Sequence, residues 1–176
     1  MKIGICGKMC SGKSTLARLI KERNNEYVIG SFAGKVYDIA YDLFGMKEKD
    51  RQLLQNIGGK MREINPTVWA DYIETKYENT ECVVIDDVRY KNEVRMLKKN
   101  GYFLIKLNIS KELQRQRLVD LYKGSYTTHL ANLNHSSETE IDDFDDDVFD
   151  LVIKVNNNNE MNSNNINNIV NNIIRE

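Results

Sequence analysis

One nine-residue stretch near the start of the chain restricts what it can fold into: residues 7–15 read Gly-Lys-Met-Cys-Ser-Gly-Lys-Ser-Thr. This is the pattern G-x-x-x-x-G-K-[ST], which requires a strand before it and a helix after it. Residues 2–6, Lys-Ile-Gly-Ile-Cys, are a short strand-like run, and residues 14–20 carry apolar side chains at helical spacing. Gly7 and Gly12 let the backbone turn where side chains forbid it and let its amides close on a polyphosphate. Lys13 is a point charge for the outer phosphates, and Ser14, with Thr15 beside it, offers a hydroxyl suited to Mg²⁺. The helix N-terminus adds about half a positive charge aimed at the same anion. The loop therefore predicts a nucleoside triphosphate, with ATP contacts at Gly7, Gly12, Lys13, Ser14 and Thr15.

Strand-like and helical segments alternate beyond the loop. Residues 27–32 read as a second strand, followed by a helix face of Val36, Ile39, Ala40, Leu43 and Phe44 that ends near Gly45. Leu53, Leu54 and Ile57 suggest another helix, interrupted at Gly58 and Gly59. Pro66 is expected in the first turn of a helix containing Val68, Trp69, Tyr72 and Ile73. Residues 82–85 are an apolar strand ending in Asp86 and Asp87. A helix over 91–99 stops at Asn100 and Gly101, a strand covers 102–108, and Ser110 caps a helix to about Tyr122. Residues 123–136 have little periodicity and are expected to be a mobile connection, and 151–155 are a last strand. Eleven of the seventeen residues from 156 to 172 are Asn. Ile166, Ile169, Val170, Ile173 and Ile174 nevertheless fall on one helical stripe, so 156–160 are expected as a loop and 161–175 as a closing helix.

Five strands alternating with helices imply a doubly wound α/β fold: a three-layer α/β/α P-loop kinase fold with a five-stranded parallel sheet and a lid. Its 176 residues are one domain's worth, with an acceptor-binding insertion at about 33–80 and a lid at about 115–137. A net charge of −1 argues against polymeric nucleic acid as a partner, and no apolar run is long enough to span a membrane. With a strand read from Lys2 no leader is expected, and three cysteines without paired spacing lead to the expectation of a reducing cytoplasm. Oligomeric state, a homodimer included, stays open.

Ligands in such sheets sit beyond the carboxyl ends of the strands. There Asp86 or Asp87 can orient Mg²⁺, and Arg89 can meet substrate phosphate or pair with the carboxylates. Glu93, with Asn92, is a helix-start residue or a site residue. An acceptor site between the second and third strands draws on Arg51, Gln55, Lys60, Arg62 and Trp69. Arginine can grip a monophosphate with two hydrogen bonds, and Trp69 can stack on a base or belong to the core. Arg115 and Arg117 are expected to close over the phosphates, Arg115 as a catalytic cation.

Several segments together resemble the bacteriophage-type deoxynucleoside monophosphate kinases of the P-loop kinase group. They are Ser31-Phe32-Ala33, Leu53-Leu54-Gln55-x-x-Gly58 with Arg62, Pro66-Thr67-Val68-Trp69, Asp87-Val88-Arg89-x-x-Asn92-Glu93 and His135-Ser136-Ser137-Glu138. The resemblance implies ATP- and Mg²⁺-dependent phosphorylation of a deoxynucleoside monophosphate, in deoxynucleotide metabolism of the phage type. It implies that Asp87 and Arg89 matter more than Asp86; Lys13, Asp87 and Arg89 are thus the expected catalytic residues, and Ser14 and Asp86 the expected metal contacts. It also implies acceptor contacts at Phe32, Gln55, Arg62, Trp69, Arg89, Glu93, His135 and Glu138. One departure is the run Gly34-Lys35-Val36-Tyr37, where the family shows an acidic residue, Pro, Leu and a basic residue. Ser137 and Glu140 also fit a helix capping box.

Two other functions compete. A regulatory GTPase would need an Asp-x-x-Gly turn and an Asn-Lys-x-Asp reader, and the sequence has neither at the required places. A small-metabolite kinase, such as a phosphomevalonate or dephospho-coenzyme A kinase, would keep the fold and change the acceptor. A catalytically idle nucleotide-binding subunit fits poorly with Lys13, Ser14 and the acidic pair all in place.

Overall fold

The computed structural model describes residues 1–125, 133, 136–156 and 170–171. Strands β1 (Lys2–Gly7), β2 (Val28–Gly30), β3 (Val83–Val88), β4 (Phe103–Ile109) and β5 (Leu151–Val155) form one sheet in the order β2-β3-β1-β4-β5. Every pairing is parallel, so each connection crosses a face of the sheet. Helix α1 (Lys13–Arg23) follows β1, and α2 (Phe32–Phe44), α3 (Arg51–Ile64) and α4 (Val68–Lys76) lie between β2 and β3. Helix α5 (Lys91–Lys99) joins β3 to β4, and α6 (Lys111–Tyr122) follows β4. With β1 in the middle, the glycine loop emerges between the carboxyl ends of β3 and β4.

Side chains alternate between two apolar cores, one on each face. Val83, Ile85 and Leu104 pack with Val36, Ile57, Trp69, Ile73 and Leu97. Val84, Ile105 and Leu107 pack with Leu16, Ile20 and Leu113. Covering both faces explains why the strands read as continuous apolar runs.

Four elements depart from the sequence reading. The second strand is shorter than 27–32, because Phe32 already opens α2 and Ser31, extended at φ −151° and ψ 135°, is its N-cap. The helix expected to break at Gly58 and Gly59 runs unbroken from Arg51 to Ile64. Its buried side, with Ile57 in the core and Leu53, Leu54 and Met61 against it, outweighs a cost of about 1 kcal/mol per glycine. Pro66 lies just before α4 rather than in its first turn, in a bend where Asn65 Oδ1 accepts from Thr67 N at 3.0 Å. β3 runs on through Asp86 and Asp87 to Val88 instead of giving way to them after Ile85, whereas α5 covers 91–99 as expected, and Ser110 Oγ accepts from Leu113 N at 3.2 Å to cap α6.

Most of 123–136 and most of the expected closing helix lie outside the described residues. Val170 and Asn171 are helical, and Val170 is buried in the second core. No helix of the described residues is long and apolar enough to cross a membrane.

Candidate active site

The glycine loop is built for close approach. A Cβ on Gly7 would lie 2.7 Å from Ser11 Oγ, and Gly12 adopts φ 101°, a conformation that side chains rarely allow. Lys13 is only 7% exposed, and its ammonium donates to the carbonyls of Gly7 at 2.6 Å and Lys8 at 2.7 Å. Burial, with help from the Arg89 charge, lowers its pKa to about 8. Ser11 Oγ is buried without a hydrogen-bond partner among the described residues.

Asp86, in the second half of β3, lies beside the Ser14 side chain. Burial lifts the Asp86 carboxyl above its ordinary range and the Asp87 charge adds to this, while the Ser14 hydroxyl opposes it. A half-buried carboxylate beside a hydroxyl is a fitting oxygen-donor set for Mg²⁺, which takes one or two carboxylates and draws on phosphate and water for the rest. Among the described residues no group of three or more His, Cys, Asp or Glu could hold a metal by itself.

A cavity of about 610 Å³ opens over the loop, lined by Gly12, Lys13, Ser14, Thr15 and Asp86 and by Arg117, Asp120, Leu121 and Tyr122 near the end of α6. Arg117 Nη1 donates to Cys10 O at 3.0 Å, which sets its guanidinium against the phosphate loop. The structure does not bring Arg115 to the cleft. Two positions earlier, and so turned about 200° round the helix, it is exposed and lines neither this cavity nor its neighbour.

That neighbour is a cavity of about 410 Å³ walled by Phe32, Gln55, Arg62, Trp69, Tyr90 and Glu93 with adjoining parts of α2 and α3. The Arg62 guanidinium lies 4.1 Å from the centre of the Tyr90 ring, donates to Gly58 O at 3.3 Å and pairs with Glu93 at 3.5 Å. Glu93, 2% exposed, also accepts from Arg89 N at 2.8 Å and Tyr90 N at 3.0 Å. It reaches back to the start of α5 and also lines the cavity. Burial, and next the Asp87 charge, raise its pKa to about 7. Trp69 is a core residue with one edge on the cavity, and its indole N–H donates to Gly58 O at 3.2 Å.

The two cavities meet at Lys49, Arg51, Asp87 and Arg89, which line both. Asp87 is occupied by α2: it accepts from Ser31 Oγ at 2.7 Å, Phe32 N at 2.9 Å and Ala33 N at 2.9 Å. It therefore caps a helix from another strand, while Asp86 is the carboxylate beside Ser14. Arg89 pairs with Glu138, which also accepts from Met9 N at 2.7 Å and Gln114 Nε2 at 3.3 Å. Expected as an acceptor contact, Glu138 is not part of the smaller cavity's wall; it ties the loop, Arg89 and α6 together.

His135 lies outside the described residues, as does the side chain of Ser137, and Glu140 accepts from Lys91 N at 2.7 Å. Lys60 is exposed and paired with Glu63 at 2.8 Å, away from the cavity. Sequence reasoning missed Lys49 altogether. It sits in the polar run Lys-Glu-Lys-Asp of residues 47–50, where nothing distinguishes it from a solvated charge. Gln114 was missed too, and only its burial marks it.

Solved structures share this architecture along nearly the whole chain. An uncharacterized protein from Eubacterium ventriosum ATCC 27560 aligns with a TM-score of 0.57 at 13% identity, covering 99% of this chain and 96% of that one. Shikimate kinase from Aquifex aeolicus vf5 aligns with a TM-score of 0.55 at 18% identity, covering 99% and 94%. A gluconokinase from Sinorhizobium meliloti 1021 gives 0.55 at 13% identity, covering 98% and 95%. At these identities the likeness is one of fold, the three-layer α/β/α fold of the P-loop kinases. No curated protein matches the chain in sequence. The AAA_18 family model, described as an AAA domain, matches residues 3–141, from β1 through Glu138, and the chain belongs to that family.

Proposed function

We propose that this chain transfers the terminal phosphoryl group of MgATP to the phosphate of a deoxynucleoside monophosphate. The observation that carries the reading is the pair of cavities joined at Lys49, Arg51, Asp87 and Arg89. One has the loop and helix N-terminus that hold a triphosphate. The other combines guanidinium groups with Phe32, Trp69, Tyr37 and Tyr90, in about 410 Å³, a volume within the range of small-ligand sites. An acceptor with an anionic group and a flat ring suits such walls. The resemblance of the Asp87-to-Glu93 motif to the phage-type kinases adds the deoxynucleotide.

In the reaction an acceptor oxygen forms a bond to the γ-phosphorus while the bond to the bridging oxygen breaks. The electron pair leaves with the diphosphate, and no proton has to move, because a phosphate oxygen is already anionic. Catalysis then rests on alignment and charge stabilisation. Lys13 would exchange its loop carbonyls for phosphate oxygens, and Arg117 would hold the donor at Cys10. Ser14 and Asp86 are the residues to hold Mg²⁺, which supplies positive charge at the phosphates when bound. Helices α2 to α4 act as the acceptor-binding insertion in this reading.

A small-metabolite acceptor is the second reading, favoured by the fold shared with shikimate kinase and gluconokinase. One assay separates the two: ADP release from MgATP with each deoxy- and ribonucleoside monophosphate, and with shikimate, gluconate and small phosphate esters. At least one deoxynucleoside monophosphate should stimulate release. Stimulation by a non-nucleotide alone moves the assignment to the second reading. Arg62→Ala should raise KM for the acceptor about tenfold, the scale of one charged hydrogen bond, with a smaller effect on KM for ATP. Equal effects on both substrates would remove Arg62 from the acceptor site.

A further inference from the structure

The cations at the junction differ in what already neutralises them. Arg62 has Glu93, Arg89 has Glu138, and the Lys13 ammonium is held by two carbonyls. Neither Lys49 nor Arg51 has a carboxylate partner among the described residues; Lys49 is exposed, its ammonium 5.7 Å from the centre of the Tyr37 ring, which leaves Arg51 as the half-buried one of the two. Its Nη2 donates to Tyr122 Oη at 3.4 Å, its Nη1 lies 3.9 Å from Met9 Sδ, and its guanidinium carbon is 5.6 Å from the centre of the Tyr122 ring. These neutral contacts orient the planar fork without cancelling its charge. The backbone is fixed as well: Arg51 is the first residue of α3, where Asp50 Oδ1 accepts from Leu53 N at 3.0 Å. Arg51 thus brings an uncompensated charge, on a rigid element, to the boundary between the cavities.

We propose that Arg51 is a catalytic residue of the phosphoryl transfer, its guanidinium meeting the transferring group at the boundary between donor and acceptor. This supplies the cation that sequence reasoning placed on Arg115, and it rests on the phosphotransfer reading above. As the new P–O bond forms and the bridging P–O bond breaks, negative charge spreads over the three equatorial oxygens of the phosphoryl group. A guanidinium fork can reach two of them at once. Its neutral supports matter energetically, because a carboxylate partner would have to be desolvated or displaced before the charge could act on phosphate.

The test compares Arg51→Ala and Arg51→Lys with the unaltered chain in two assays. With an acceptor found in the panel above, Arg51→Ala should lower kcat by roughly a hundredfold or more and leave KM for ATP within about threefold. Arg51→Lys keeps the charge but loses the fork, so it should recover part of that loss. Added guanidinium ion should restore part of the Arg51→Ala turnover and none to the unaltered chain. The second assay is slow hydrolysis of MgATP, with water as acceptor and its proton released to solvent. Here Arg51→Ala should be slower by roughly tenfold or more, the low end of the scale for one electrostatic contact, at equal ATP affinity by calorimetry. Failure of every acceptor in the panel would count against the nucleotide reading while hydrolysis still decides on Arg51. Unchanged kcat, unchanged hydrolysis, or a loss confined to ATP affinity would overturn the proposal. Should the alanine variant not fold, Arg51→Lys gives the same division between kcat and KM at a smaller size.

Discussion

Lys13 is held where its own charge is disfavoured. Burial is the main reason its pKa falls from 10.5 to about 8, and the Arg89 charge works in the same direction. Below pH 8 the ammonium is protonated in both the folded and the unfolded chain, so the cost of burying it is present in full. Between about pH 8 and 10.5 the folded chain has shed a proton that the unfolded chain keeps, so stability rises with pH across that window. Triphosphate oxygens favour the protonated form, which makes nucleotide binding take up a proton above pH 8. ATP affinity should therefore be nearly flat from pH 7 to 8 and then weaken by up to about tenfold per pH unit. Calorimetric titrations at pH 7, 8 and 9, in buffers of different ionisation enthalpy, would show the proton uptake directly. Unchanged affinity with no uptake at pH 9 would mean that Lys13 stays charged in the free protein.

At the level of elements, α3 shows how packing overrides local propensity. Gly59 sits within the helix, and a Cβ added there would meet nothing within 4 Å. Gly59→Ala should thus gain about 1 kcal/mol from reduced unfolded-state freedom, raising Tm by roughly 2–4 °C. Thermal unfolding followed by circular dichroism checks this, and an unchanged or lower Tm would contradict a continuous α3. Elements whose ends are marked by neighbouring residues were legible from sequence: β1 with its loop and α1, α5 ending at Asn100, and α6 starting at Ser110. Those set by distant partners were not. The boundary between β2 and α2 depends on Asp87, which takes the amides of Phe32 and Ala33 from another strand. The loop-facing side of α6 was hidden because its apolar residues point several ways: Leu113 and Leu118 are buried, whereas Val119 and Leu121 are exposed. Arg115 and Arg117 were indistinguishable on that pattern. The phosphate loop needed no such information, since its own residues mark it, whereas the choice between Asp86 and Asp87 and the pairing of Arg62 with Glu93 depend on neighbours distant in sequence.

Across the molecule, an acidic stretch pins separate elements to the loop end of the sheet. Glu138 holds Met9 N and Arg89, Asp142 pairs with Lys8 at 2.7 Å, Asp143 with Lys91 at 3.2 Å, and Asp146 with Lys106 at 2.8 Å. These pairs are not equal in strength. Asp142, Asp143 and Asp146 have side chains 55–65% exposed, whereas that of Glu138 is 4% exposed. Solvent leaves an exposed pair about 0–1 kcal/mol, but a buried charge that loses its partner costs about 3–5 kcal/mol. Coupling should therefore be concentrated at Glu138, where Arg89 connects through its backbone N–H to Glu93 in the acceptor wall and Met9 belongs to the phosphate loop. Arg89→Met alone should destabilise the chain by about 3 kcal/mol, because it leaves the Glu138 carboxylate buried and unpaired. Combining it with Glu138→Gln should restore part of that loss, a coupling of about 1–3 kcal/mol in a double-mutant cycle. The matching cycle of Lys8→Met with Asp142→Asn should show less than about 1 kcal/mol. Urea unfolding of the six variants measures both couplings on one scale. If the Arg89 and Glu138 changes are simply additive, the donor and acceptor halves are not joined through this contact, and their relative placement must come from the sheet alone.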